Sequence, residues 1–586
     1  MISNLGVWLM APAIAAALMA PTAFAATSED FHAVIRDYDR YLNEADPIGA
    51  ADRGDIEAAR LWPDDSPKAV AARQAELRSF RDRLEAIPVE ALSGEDSLND
   101  ALLSWRVELD LAGGAFDEER IPFTSDEGFF TLPAEMAGGT RLRSPAAAEA
   151  YLARLAALPA YYEREIANMR RGIATGFVQP RLTALTAARA TRAAADQPAE
   201  QNALLAPFDA LPGAMSAAQK AALKARALSV IRTAVKPAEN KLAAFFETEY
   251  GPAAREAIGA SAMPQGRAYY AYRARRETTT DLTPDAIFDL GQSEIARIRK
   301  AMDRVIAESG FKGSFRQFQA YLRRDPQFYV TSREALLEKA SRLAKRVDDR
   351  LPGWFGKLPR LSYGVRPVPA EIEEGYTSAR YFPGSPEQGV AGGLMINTSH
   401  LDQRPLYELP ALVAHEGAPG HHIQIALAQE QTGVPLFRRE DDITAFVEGW
   451  ALYAEQLVDE MGLYSSPYER FGLLSMEMWR ACRLVVDTGI HWKGWTRDQA
   501  VACLKDNTAL SDKNIQNEVD RYIAWPGQAL GYKIGELKIL ELRRRAEAAL
   551  GAKFDERAFH DAVLDEGPMP MSLLEQRIDA WIAARR

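Results

Sequence analysis

At 586 residues the chain is long enough to bury a large core and to divide into more than one lobe. Its 47% hydrophobic and 26% charged residues are those of a globular protein, not of a disordered or fibrous one. A formal net charge of −11 excludes nucleic acid as a partner, because phosphate binding needs a dense basic surface.

Residues 1–25 carry no charged side chain and are mostly apolar. They end in Ala23-Phe24-Ala25, an A-x-A cleavage pattern, followed by the polar run Thr27-Ser28-Glu29-Asp30. This predicts a secretory signal peptide cut after Ala25, and with it a periplasmic or secreted protein. The first residues lack the usual Lys or Arg, so an uncleaved membrane anchor is the competing expectation. Cys482 and Cys503 are the only cysteines, which leaves none after the apolar run for lipid attachment. No later segment has a long uncharged apolar run, so no membrane association is expected once the signal is removed. Two cysteines also exclude a thiolate-rich structural zinc site. In an oxidising compartment they either pair or remain buried thiols on neighbouring helices.

The body of the chain is rich in Ala, Leu, Arg and Glu at helical spacing, as in residues 145–156, 217–234, 284–308 and 332–350. In Ile287, Leu290, Ile295 and Ile298 the apolar positions return every three to five residues, as one helix face requires. Thr283-Pro284 reads as an N-cap with proline at the first helical position. A boundary near residue 280 divides an N-terminal helical lobe (26–280) from a lobe carrying the chemistry (281–586). Gly and Pro crowd the interval 351–404, where the β-prone stretches 376–382 and 393–398 predict a small sheet just before the histidine-rich segment. Such a sheet either braces the helices or offers an edge to which an extended peptide can add.

Residues 413–424 read V-A-H-E-G-A-P-G-H-H-I-Q and hold three of the chain's seven histidines within eight residues. Imidazole is the commonest protein metal ligand, and a carboxylate beside it can act as general base toward water. The pattern resembles the zinc-peptidase motif H-E-x-x-H with two or three extra residues between the histidines. On a straight helix, seven residues restore the angular position but add about 10 Å of rise, too far for two ligands each near 2 Å from one ion. Pro419 would clash with the carbonyl of His415, so the helix must break or bulge there, and Gly420 tolerates the unusual dihedrals of such a break. Either His421 or His422 is then brought back beside His415.

Downstream, residues 445–456 read A-F-V-E-G-W-A-L-Y-A-E-Q and form a helix. Glu448 and Glu455 are seven apart and share its face, so one can bind metal while the other orients a ligand histidine. Arg480, Arg483 and Asp487 lie on a further helical run ending at His491. Arg483 and Asp487 can pair within the helix, or an arginine here can clamp a substrate carboxylate; His491 can donate to an oxyanion or a substrate carbonyl. Residues 521–533 offer Arg521, Tyr522, Gln528, Tyr532 and Lys533 as donors around a Pro-Gly interruption. His32, His400 and His560 stand away from any motif and read as structural.

These stretches resemble the bacterial family catalogued as domain of unknown function 885, through H-E-x-x-P-G-H-H-x-Q (His415 to Gln424) and E-G-W-A-L-Y-A-E (Glu448 to Glu455). R-L-V-V-D-T-G-I-H (from Arg483) and R-Y-I-A-W-P-G-Q-A-L-G-Y-K (from Arg521) extend the likeness. That family looks like a branch of the glutamate-zincins, with thimet oligopeptidase, angiotensin-converting enzyme and carboxypeptidase Taq. The resemblance implies a mainly α, two-lobed zincin-like fold with a deep substrate channel, a small β-sheet beside the metal site and one zinc ion per chain. It implies His415, His421 and Glu448 as ligands, Glu416 as base and Tyr532 as oxyanion donor, with His491 as a further catalytic candidate. His422, Arg483, Arg521 and Lys533 are left to bind substrate. The expected activity is hydrolysis of short peptides by an exported metallopeptidase. The alternatives are hydrolysis of a non-peptide amide or ester, or peptide binding without catalysis.

Overall fold

A serine or threonine followed by proline starts several of the long helices, because the hydroxyl caps a free N–H while proline lacks one and is preset for the first turn. In the computed structural model of the protein, which describes residues 20–125, 127–369, 373, 377–385, 389–440 and 442–586, Ser144 caps α1 (Pro145–Thr175) and Thr283 caps α2 (Pro284–Glu308). Ser332 caps α3 (Arg333–Asp348). The first 19 residues of the expected signal peptide lie outside the described residues, as does Tyr376 of the first β-prone stretch. Among the described residues no helix is long and apolar enough to cross a membrane.

The fold is mainly helical with one small sheet. Strands β1 (Tyr363–Pro367), β2 (Ala379–Phe382) and β3 (Gly392–Ile396) lie in the order β1-β3-β2. β3 runs parallel to β1 and antiparallel to β2, with Tyr381 opposite Leu394. The two predicted β-prone stretches supply β2 and β3, and among the described residues β2 keeps one edge free of any strand partner.

Six further helices and one short link build the site. They are α4 (Leu409–Glu416), α5 (His421–Gln429), α6 (Thr444–Glu460), α7 (Pro467–His491), α8 (Asp512–Ala524) and α9 (Gly531–Leu550), with the link 417–420 between α4 and α5. α7 is the hub, buried on every face beyond its first turn and a half. A helix without a wet face must satisfy each of its polar side chains internally. Glu477 therefore meets Lys533 of α9 at 2.7 Å and Arg297 of α2, while Lys533, wholly buried, also meets Glu536 at 2.7 Å and Glu294 at 3.3 Å. Asp487 accepts from the Tyr270 hydroxyl (2.6 Å) and the Gly527 N–H (3.1 Å) rather than pairing with Arg483. Cys482 and Cys503 are free thiols.

The largest core gathers Phe31, Tyr38, Phe80 and Leu103 from the first part of the chain with Ile298, Trp450, Tyr453 and Ile578 from the last. A second core collects Trp62 with side chains from Phe123 to Ala254, much of it on α1. The site sits on the first of these, where α4 and α5 meet the sheet and α6, backed by α9, packs against α4.

Candidate metal centre

The helix carrying His415 stops one residue later, at Glu416. Gly417 still donates to Val413 (2.9 Å), and the Ala418–Pro419 peptide is cis. Gly420 then folds back so that its N–H reaches the carbonyl of Ala414 at 2.9 Å. A Cβ at Gly420 would overlap the carbonyl oxygens of Ala414 and His415, so glycine is required here for close approach. The expected interruption is thus a complete break between two helices. Trp450 of α6 pins the link by donating to the Pro419 carbonyl at 2.9 Å. α5 restarts at His421, and its ring centroid comes to 4.8 Å from that of His415, at 85°.

α6 brings Glu448 onto the same spot. Its Oε2 lies 3.3 Å from His415 Nε2 and 3.5 Å from His421 Nε2. Among the described residues, one group of three His, Cys, Asp or Glu side chains is placed to hold a metal ion, with its donor atoms within 4.8 Å of one another: His415, His421 and Glu448. Two imidazole nitrogens and one carboxylate oxygen form a donor set of the kind that would hold a catalytic zinc ion. Glu448 Oε2 is buried and accepts no hydrogen bond, an orphan that a cation between the three side chains would satisfy. Burial pulls the His415 imidazole down, but Glu448 and Glu455 outweigh it and hold the pKa up at about 9. Burial would raise Glu448, yet His421 and His415 keep it well below the usual carboxylate range. The carboxylates of Glu448 and Glu455 thus favour positive charge beside the His415 imidazole, which a cation held by the triad would supply.

Behind the triad, Glu455, one per cent exposed, accepts from His415 Nδ1 at 2.9 Å. This contact leaves Nε2 as the metal-facing nitrogen, the arrangement that orients ligand histidines. Arg480 of α7 backs Glu455 at 3.5 Å. Gln424, one helical turn beyond His421, meets His421 Nδ1 at 3.0 Å and also donates to the Val447 carbonyl at 3.1 Å. Substituting Glu455→Ala is expected to weaken zinc affinity by about 10–100-fold, read by competition with a chromophoric chelator. An unchanged affinity would mean that Glu455 has no part in setting the ligand.

Glu416 sits beside this cluster without joining it. Its Oε2 accepts from the backbone N–H of Tyr381 at 2.6 Å, on the edge of β2 that no described strand covers. His422 turns the other way. Its Nδ1 meets the Tyr381 hydroxyl at 3.0 Å, its ring lies 4.4 Å from that of Tyr363, and burial drives its pKa down to about 4. Tyr532 lies on α9, which packs against α6 where Gly449 of α6 and Gly535 of α9 cross backbone to backbone. A Cβ at either glycine would overlap the opposing helix. Burial and the Glu448 carboxylate together raise the Tyr532 hydroxyl pKa, so it stays protonated as a donor.

The remaining expected site residues are more deeply engaged. Both ring nitrogens of His491 are taken by backbone: Nδ1 accepts from Ala260 at 2.9 Å and Nε2 donates to the Tyr522 carbonyl at 2.8 Å. Burial lowers its pKa to about 3, so it is neutral and ties α7 to α8. Lys533 belongs to the buried carboxylate network described above. Arg521 donates to Gln528 (2.7 Å) and Glu518 (3.0 Å), and Arg483 to Tyr522 (2.9 Å) and Glu518 (3.2 Å). Tyr381, Gln424, Arg480 and Glu518 are contacts that sequence reasoning did not assign. Only Gln424 had a usable signal, since its three-residue offset from His421 places both on one helix face.

These features define a mainly helical protein with a buried His–His–Glu cluster able to hold a metal ion. The chain belongs to the family described as bacterial protein of unknown function (DUF885), whose profile matches residues 47–578. It is similar to the crystal structure of a candidate lipoprotein from Colwellia psychrerythraea, with 28% identity and a TM-score of 0.89, covering 95% of this chain and 99% of that one. A candidate lipoprotein of unknown function from Shewanella oneidensis shares the fold at 18% identity and a TM-score of 0.73, covering 93% of this chain and 99% of the other. No curated protein matches the chain.

Proposed function

We propose that the protein is an exported zinc-dependent peptidase acting on short peptides, within a two-lobed frame around a deep substrate channel. The observation that carries this reading is the convergence of two imidazoles and an otherwise unbonded carboxylate oxygen, with a separate glutamate beside them. Zinc held by His415, His421 and Glu448 would supply Lewis-acid polarisation of the scissile carbonyl and lower the pKa of water.

The protein's own groups do the rest. Glu416, with one oxygen fixed by the Tyr381 N–H, takes a proton from the attacking water on the other and hands it to the leaving amine. Tyr532 donates its hydroxyl to the oxyanion that develops on the carbonyl. On the edge of β2 away from β3 the Tyr381 N–H is taken by Glu416, and the main-chain groups beside it would pair with an extended peptide regardless of its side chains. His422 holds the Tyr381 ring and, through it, the strand that steadies Glu416. Export is proposed from residues 1–25, which close on Ala23-Phe24-Ala25.

The test is hydrolysis of a mixed pool of short peptides, followed by mass spectrometry. Cleavage should vanish on chelation and return with added zinc. A zinc-loaded, folded protein that leaves every peptide intact while turning over an ester or another amide would replace this reading.

A further inference from the structure

Two arginines and one glutamate share a buried site behind Tyr532, and their charges do not balance. Arg483 is 3% exposed. Its Nε donates to the Tyr522 hydroxyl and its Nη2 to Glu518, but its Nη1 is buried with no partner. Arg521 spends its donors on Gln528 and on the same Glu518 carboxylate. The Tyr522 hydroxyl also donates to Glu518, at 2.8 Å. Although burial opposes it, Arg521 and Arg483 hold the Glu518 pKa at about 2, so this carboxylate is already ionised and has no further charge to give. Two guanidinium groups against one carboxylate leave one positive charge without an ionic partner; the Arg483 guanidinium rests instead on the faces of Trp479 (4.5 Å) and Tyr532, and its Nη1 keeps no hydrogen bond.

That surplus stands close to the metal centre. The Arg483 guanidinium lies 4.2 Å from the centroid of the Tyr532 ring, and the hydroxyl on that ring senses the Glu448 carboxylate. Tyr532 is therefore a neighbour both of the guanidinium that carries the unpaired donor and of the ligand cluster. A planar guanidinium with a free edge, fixed from behind by Tyr522 and Glu518, is a preorganised receptor for a carboxylate.

The geometry points to Arg483 as the group that anchors a carboxylate of the substrate, so that the enzyme selects peptides bearing a negative charge just beyond the cleaved bond. This rests on the peptidase reading for its substrate class, though not for its binding chemistry. Two sources supply the same chemistry: the free C-terminus of the peptide, or an acidic side chain near it.

The experiment uses the full zinc-loaded chain and one peptide sequence in three forms: free C-terminal acid, C-terminal amide, and amide with a glutamate next to the terminus. Binding is measured by calorimetry on the Glu416→Gln variant, and cleavage on the wild type. The free acid is expected to bind about 10–100-fold more tightly than the plain amide, in keeping with a charge-assisted hydrogen bond. Recovery of binding by the glutamate-bearing amide assigns the anchor to a side chain instead of the terminus. In Arg483→Gln the preference for the charged forms should collapse to near unity, and Arg483→Lys should restore part of it. Equal binding of acid and plain amide by the Arg483-intact protein overturns the proposal even if neither Arg483 variant folds. So does an acid preference that survives Arg483→Gln. Arg483-dependent binding without any cleavage would leave the anchor standing and remove the peptidase reading; cleavage indifferent to charge would do the reverse.

Discussion

Glu416→Gln is expected to lower peptide turnover by about 10²–10⁴-fold, the usual contribution of a positioned general base, while bound metal stays at the wild-type level. The substitution is nearly isosteric, and its amide oxygen can still accept the Tyr381 N–H that now holds Glu416 at 2.6 Å. The carboxylate is not one of the three converging donors, so the metal site loses nothing. Only the capacity to take up a proton is removed. Turnover, zinc content and melting temperature measured on one preparation separate these effects. A folded, zinc-replete variant with full activity would exclude Glu416 as base, and a zinc-depleted one would mean that it helps to hold the ion.

Local chemistry made much of the centre legible. Pro419 cannot continue a helix through His415, and Glu448 and Glu455 at a seven-residue spacing had to share one face of α6. The structure gives both carboxylates contacts to His415, one on each ring nitrogen. The Thr283-Pro284 cap and the apolar stripe of α2 are equally local, and both are present as expected. What escaped the sequence depends on partners far along the chain. Lys533 reads as a substrate-binding donor until α2, α7 and α9 close carboxylates around it. Asp487 reads as an i+4 partner for Arg483 until Tyr270 and Gly527, from distant segments, claim it. The crossing of Gly449 with Gly535, which sets α9 against the helix that carries Glu448, leaves only two unremarkable glycines in the sequence. The role of Tyr381 toward Glu416 is played by a backbone N–H, which no residue type announces.

His421→Ala and His422→Ala should part company in zinc content, and this is the sharpest test of the metal centre. Adjacent residues on an α-helix point about 100° apart, so the two rings on α5 cannot face one ion together. The phase of α5 is set at its first residue, where Gly420 packs against the carbonyls of Ala414 and His415 and turns His421 toward Glu448. His422 is thereby committed to Tyr381 and Tyr363. His421→Ala removes one of three donors and is expected to leave little zinc on the protein after dialysis, with activity lost in parallel. His422→Ala should keep nearly stoichiometric zinc but lose about 2–4 kcal/mol of stability, since it empties a buried ring site and strands a tyrosine hydroxyl. Metal analysis and denaturant midpoints on both variants give the answer. Equal zinc retention would mean that α5 starts in a different phase from the one described, and the ligand assignment would fall with it. Loss of zinc from the His422 variant alone would require the helix to rotate by about 100°, carrying Gln424 away from its contacts with His421 and Val447.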